Sequence, residues 1–80
     1  MSKIVIFMRP GCHLCEEAEA VVRPLAAAAG REVELIDIEQ DDALHKKYLV
    51  LIPVIESEGV ELARLDEFRD GRLQKALERD

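Results

Sequence analysis

The chain has 80 residues, 49% of them apolar, and a formal net charge of −6, which predicts one small domain over 1–80 with a single core. The acidic balance argues against nucleic acid or an anionic membrane surface as a partner: phosphate binding relies on clustered Lys and Arg, and Lys46-Lys47 is the only adjacent basic pair. No apolar run nears the roughly 18 residues of a membrane span, which leaves a cytoplasmic monomer as the expectation.

Ile4-Val5-Ile6-Phe7-Met8 is a continuous apolar run without polar alternation. It predicts a strand buried on both faces in the middle of a sheet. The run is too short for a signal peptide, and no cleavage region follows it. Pro10-Gly11 ends it. A helix is then expected from Cys12 or His13 to Ala29, with Glu16 and Glu17 early, where carboxylates suit the positive end of the helix dipole. Leu14, Ala18, Val21, Val22, Leu25 and Ala29 recur at helical spacing and give the expected inner face. Pro24 removes one hydrogen bond and crowds the carbonyl of Ala20, so a kink is expected there rather than a break. Gly30 is the natural stop.

Cys12-His13-Leu14-Cys15 holds the only two cysteines of the chain. At i and i+3 of a helix their Cβ atoms lie about 5–6 Å apart, and a disulfide needs Cα atoms roughly 4.4–6.8 Å apart. The bond between them therefore opens and closes with little backbone movement. The first helical turn also carries unpaired N–H groups and the positive end of the dipole, which stabilise a thiolate at Cys12. A free cysteine of pKa about 8.5 is a few per cent thiolate at neutral pH, and a pKa of about 7 makes it roughly half thiolate. Arg9 and His13 add positive charge nearby while Glu16 and Glu17 oppose it, so the expected depression is modest. Cys15 is expected to be the less exposed of the two. Attack by Cys12 and resolution by Cys15 is the expected order.

Three other readings compete. Half a zinc site would need further ligands, and only His13 and His45 are on offer, so no metal is expected. A structural staple across so short a loop stabilises little. Two idle core cysteines at this spacing, at a helix start after a strand, are the weakest reading. In a reducing cytosol the pair reads as catalytic or metal-binding rather than structural.

Glu32 to Ile38 is the expected second strand, with Val33, Ile36 and Ile38 packed. A strand–helix–strand crossover makes it parallel to the first. Asp41-Asp42 open a short helix with Lys46-Lys47 near its end, in keeping with the dipole. Leu44 and Tyr48 point inward, and His45 is a solvated face residue without a role. In Leu49-Val50-Leu51-Ile52-Pro53-Val54-Ile55 the proline lacks a donor, which places it at the entry of the third strand. Ser57-Glu58-Gly59-Val60 reads as a tight hairpin turn, with Gly59 at positive φ. Val60 to Leu65 is an edge strand broken up by Glu61 and Arg64. Asp70 is favoured over Asp66 as the cap of a last helix that packs through Leu73, Ala76 and Leu77.

The predicted order is strand, helix, strand, helix, strand, strand, helix, with C-x-x-C opening the first helix and a proline opening the third strand. This α/β pattern resembles the thioredoxin-like fold in its smallest, glutaredoxin form, a four-stranded mixed sheet flanked by three helices (β-α-β-α-β-β-α). Gly11-Cys12-His13-Leu14-Cys15-Glu16-Glu17-Ala18, Tyr48 and Ile52-Pro53-Val54 resemble a bacterial branch of glutaredoxin-like proteins more closely still. The resemblance implies that Cys12 is the nucleophile, Cys15 the resolving cysteine, and Pro53 a cis-proline facing the pair. It implies that the backbone of Ile52 pairs with a substrate peptide as a short β-bridge. Arg9 and His13 complete the implied substrate-binding set, Arg9 for a glutathione carboxylate.

The chain also departs from that family. Glutaredoxins usually carry C-P-Y-C, Thr-Val before the proline, and Gly-Gly before the last helix. Here His13-Leu14, Leu51-Ile52 and Ala63-Arg64-Leu65-Asp66 stand in those places, with Asp66 or Glu67 left to serve a glutathione γ-glutamyl group. The resemblance thus implies a dithiol–disulfide oxidoreductase acting in electron transport on protein or glutathione mixed disulfides. No tightly bound cofactor is expected, and glutathione or a reductase enzyme is the expected source of electrons. The alternatives are an iron–sulfur or metal-binding carrier and a redox-inactive adaptor.

Overall fold

The computed structural model describes residues 3–79. Its elements are β1 (Ile4–Met8), α1 (His13–Ala28), β2 (Val33–Asp37), α2 (Asp42–Tyr48), β3 (Val54–Ser57), β4 (Val60–Arg64) and α3 (Arg72–Arg79). Short 3-10 turns, Ile38–Gln40 and Glu67–Asp70, precede α2 and α3. The strands form one sheet in the order β2-β1-β3-β4. β1 runs parallel to β2 and antiparallel to β3, and β3 and β4 form the antiparallel hairpin. The expected element order and the mixed four-stranded sheet with three helices are both found.

The alternation of β1 divides the interior. Ile4 and Ile6 face a cluster with Ala18, Val22 and Ala26 of α1, Ile55 of β3, and Leu73 and Leu77 of α3. Phe7 faces the other way, into a cluster with Ile38, Tyr48, Ile52 and Val54. Successive side chains of a strand point to opposite faces, so a run without polar residues serves both layers. Phe7 and Tyr48 stack with centroids 4.6 Å apart, and the Tyr48 hydroxyl donates to Glu56 Oε2 at 3.2 Å.

Several boundaries shift for local reasons. α1 continues through Pro24 and ends one residue early: Ala29 is its exposed C-cap, and Ala26 takes the inward place assigned to it. Gly30, at φ +69, then turns the chain out of the helix. β2 stops at Asp37, whose carboxylate accepts from the Glu39 N–H at 2.9 Å and starts the 3-10 turn. Ile38 is nonetheless fully buried. Asp41 caps α2, accepting from Ala43 and Leu44. His45, expected on a solvated face, is half-buried. β4 ends at Arg64 because Leu65 adopts a left-handed φ of +54. Both central residues of the hairpin turn, Glu58 and Gly59, have positive φ, the geometry that matches strand twist in a two-residue loop. Asp70 Oδ1 accepts from the Arg72 N–H at 2.9 Å, so the expected carboxylate does satisfy the start of α3.

Leu73 is the fully buried residue by which α3 joins the first cluster. Leu73→Ala is expected to cost about 2–5 kcal/mol, read as a lower urea midpoint at unchanged slope. Asp41→Ala removes a cap and is expected to cost about 1 kcal/mol.

Candidate active site

The site begins with the turn between β1 and α1. The Cys12 N–H donates to the Arg9 carbonyl at 3.3 Å, and Gly11 sits at φ +78. Pro at the second position and Gly at the third suit this turn, because proline presets φ and glycine accepts a positive one. The turn delivers Cys12 to the N-cap of α1 with extended backbone. Its Sγ accepts from the Cys15 N–H at 3.1 Å, and its carbonyl accepts from the Glu16 N–H at 3.1 Å. The sulfur thus takes one of the donors that a helix start leaves unpaired.

Cys12 and Cys15 are joined as a disulfide, with Cα atoms 5.2 Å apart, inside the range the bond requires. Cys15 is 3% exposed and packs in the cluster of Phe7 and Ile52, while Cys12 is half-buried at its edge. The expected difference in exposure is therefore present. Among the described residues no three His, Cys, Asp or Glu side chains are grouped to hold a metal ion.

The Ile52–Pro53 peptide bond is cis, as the resemblance implied. Pro53 is fully buried, and Ile52 shares the cluster that holds Cys15. One detail differs from a two-handed β-bridge at Ile52. Its N–H already donates to the Tyr48 carbonyl at 3.1 Å, so the carbonyl is the group left for a bound peptide. The Leu65 N–H, just past the end of β4, holds this loop, donating to the carbonyls of Leu51 at 3.2 Å and Pro53 at 2.9 Å. Nothing in the sequence marked Leu65, since its role is played by the backbone.

The two flanking candidates are both exposed. His13 is 91% exposed, its Nδ1 3.6 Å from Glu16 Oε1, so it points away from the apolar cluster. Arg9 is exposed, and among the described residues its guanidinium has no partner. Arg9, Cys12, Cys15, Glu16, Glu19 and Leu35 line a cleft of about 190 Å³ beside the disulfide. Two larger, shallower depressions, about 500 and 460 Å³, lie near Arg31 and near Lys75, away from the cysteines.

The segment before α3 is already engaged. Glu67 Oε1 accepts from the Arg64 N–H at 3.1 Å and lies 3.5 Å from Arg72 Nη1, so this carboxylate serves the fold. Arg69 is bonded to Glu17 of α1, which ties that segment to the cysteine-bearing helix. The Glu17 carboxylate raises the Arg69 guanidinium above the ordinary arginine range, mainly through that hydrogen bond. Arginine is charged at any working pH, so the shift carries no pH dependence.

Known proteins share this arrangement. The family model described as a glutaredoxin-like domain (DUF836) matches residues 3–78. The solution structure of protein Ne2328 from Nitrosomonas europaea is 35% identical, with a TM-score of 0.77 over 94% of this chain and 88% of that one. Glutaredoxin from Brucella melitensis gives a TM-score of 0.62 at 22% identity, over 99% of this chain and 87% of that one. The germline-specific thioredoxin Deadhead from Drosophila melanogaster gives 0.63 at 22%, over 98% and 79%. No curated protein sequence matches this chain. These likenesses confirm the thioredoxin-like fold, and the Cys12–Cys15 pair within it supports a redox-type role. By sequence and by structure, the chain belongs to the glutaredoxin-like domain (DUF836) family.

Proposed function

We propose that this protein is a cytoplasmic, monomeric thiol–disulfide oxidoreductase that reduces protein disulfides or glutathione mixed disulfides through Cys12 and Cys15. The observation that carries the reading is the N-cap position of Cys12, whose sulfur accepts from the Cys15 N–H. A thiolate there gains a charge-assisted hydrogen bond and the favourable end of the helix dipole. The Cys12 thiolate attacks a substrate disulfide, one substrate sulfur leaves, and a mixed disulfide forms. Cys15 then displaces the second substrate sulfur from Cys12, leaving the substrate reduced and the Cys12–Cys15 bond oxidised. The buried setting of Cys15 keeps it from outside disulfides but not from its neighbour on the same helix.

Ile52 and Pro53 form the wall on which a substrate peptide lies, with the Ile52 carbonyl as its hydrogen-bond acceptor. Arg9 and His13 supply positive charge at the entrance. Glutathione or a reductase enzyme returns the electrons, and no tightly bound cofactor takes part. Carrier function for a metal or cluster has no observation of its own in its favour.

With the dithiol reduced, iodoacetamide below stoichiometry should label Cys12 well before Cys15, as peptide mass spectrometry would record. Labelling in the opposite order would reverse the assigned roles. Cys15→Ser should accumulate a mixed disulfide with substrate that Cys12→Ser does not form. Equilibration with glutathione buffers should give a reduction potential of about −200 to −270 mV. Failure to form the intramolecular disulfide, or to reduce it with any physiological thiol, would leave an adaptor role in its place.

A further inference from the structure

The cleft beside the disulfide is separate from the wall made by Ile52 and Pro53, neither of which lines it. Its volume, about 190 Å³, falls below the roughly 300–1,000 Å³ of pockets for drug-sized ligands. A peptide does not fit inside it, but a very small molecule does. Its lining is chemically divided. Arg9 is one lining residue, its guanidinium unpaired among the described residues. Glu16 and Glu19 line it too, each in an exposed ion pair, with His13 and Arg23 respectively. Leu35, on the outer strand β2 and 38% exposed, supplies an apolar wall. Both cysteines reach the same space.

We infer that this cleft receives a small amino-acid thiol of the cysteine type as a reductant of the Cys12–Cys15 disulfide. The inference rests on the oxidoreductase reading above. Such a thiol carries a carboxylate, which a planar guanidinium binds through two parallel hydrogen bonds. It carries an ammonium, for which the glutamates are the matching partners. It carries a sulfur on a short stem, and both cysteines line the same cleft. A zwitterion is also indifferent to the net charge of −6. Glutathione, a longer peptide of net negative charge, does not fit inside the cleft, and its reaction with Cys12 takes place outside it.

The reaction balances as two thiol exchanges. The small thiolate attacks Sγ of Cys12, the more exposed cysteine, and the Cys12–Cys15 bond breaks. Cys15 leaves as a thiolate and takes a proton from solvent. A second small thiolate attacks the small molecule's sulfur in the mixed disulfide and releases the Cys12 thiolate. Two electrons pass to the protein, and two small thiols leave as one disulfide.

The test uses the oxidised protein and counts free thiols by mass spectrometry after timed acid quench. L-cysteine is compared with cysteamine, which lacks the carboxylate, with 3-mercaptopropionate, which lacks the ammonium, and with glutathione, each rate normalised to thiolate concentration. L-cysteine is expected to be at least about fivefold faster than each of the others, the range of an exposed charge-assisted contact. In Arg9→Met its advantage over cysteamine should fall to near unity. In Leu35→Trp, which fills the cleft, its rate should fall relative to that of dithiothreitol. No preference over cysteamine, or a preference that survives Arg9→Met, overturns the inference. If dithiothreitol reduces the disulfide while L-cysteine shows no preference, only the cleft assignment is lost. If dithiothreitol itself fails, the oxidoreductase reading goes with it.

Discussion

β1 is the element that everything else is fitted to. All five of its residues pair with β2 and four of them with β3, and its two faces feed two separate apolar clusters. Burial of apolar area is worth roughly 25 cal/mol per Å², and here one short run contributes to both layers at once. In a chain of 80 residues with only three aromatic side chains, that economy decides the architecture. Ala18, Ala26 and Ala63 are the small residues of the first cluster, set among Ile, Val and Leu. The second is built round the one stacked aromatic pair, Phe7 and Tyr48.

The site grows from the end of the same strand. Pro10-Gly11 turns the chain at once into α1, so the N-cap of the helix falls on a cysteine. The usual caps are Ser, Thr, Asp and Asn, whose oxygens accept from the backbone. A sulfur in that position accepts in the same way, and in the proposed reaction it is also the attacking atom. Cys15 is placed differently, because the second cluster closes over it. Two residues of one type, three apart in the chain, thereby acquire unlike surroundings, one half-buried and one enclosed.

Much of this was legible in the amino-acid order. Strand β1, the helix from the C-x-x-C, the crossover to β2 and the hairpin at Gly59 each carry a local signal that tertiary packing did not override. The cis bond at Pro53 was of another kind: the residues alone placed Pro53 only at a strand entry, and resemblance supplied the isomer. What escaped was carried by backbone or by distant partners. The Leu65 N–H reaches two carbonyls of the Pro53 loop, and a backbone group has no residue type to betray it. Glu67 looked available for a ligand, yet its carboxylate is turned to the Arg64 N–H and Arg72. Ala29 has the right spacing for the inner face, but the helix stops before it. The link between Glu17 and Arg69 joins residues 52 apart in sequence, a separation no periodicity records.

The sheet order leaves β2 and β4 as the two outer strands. Unpaired strand edges are templates on which another chain can add, and this is the usual route from a small sheet to aggregation. Both outer strands here are five residues long and carry charge, Glu34 and Asp37 on β2 and Glu61 and Arg64 on β4. β4 is further distorted by the register shift opposite Ile55 and Glu56. A second copy laid along β2 would bring two further carboxylates to a strand that already has two, and along β4 it would meet a bent ladder. The molecule therefore carries its own resistance to strand addition.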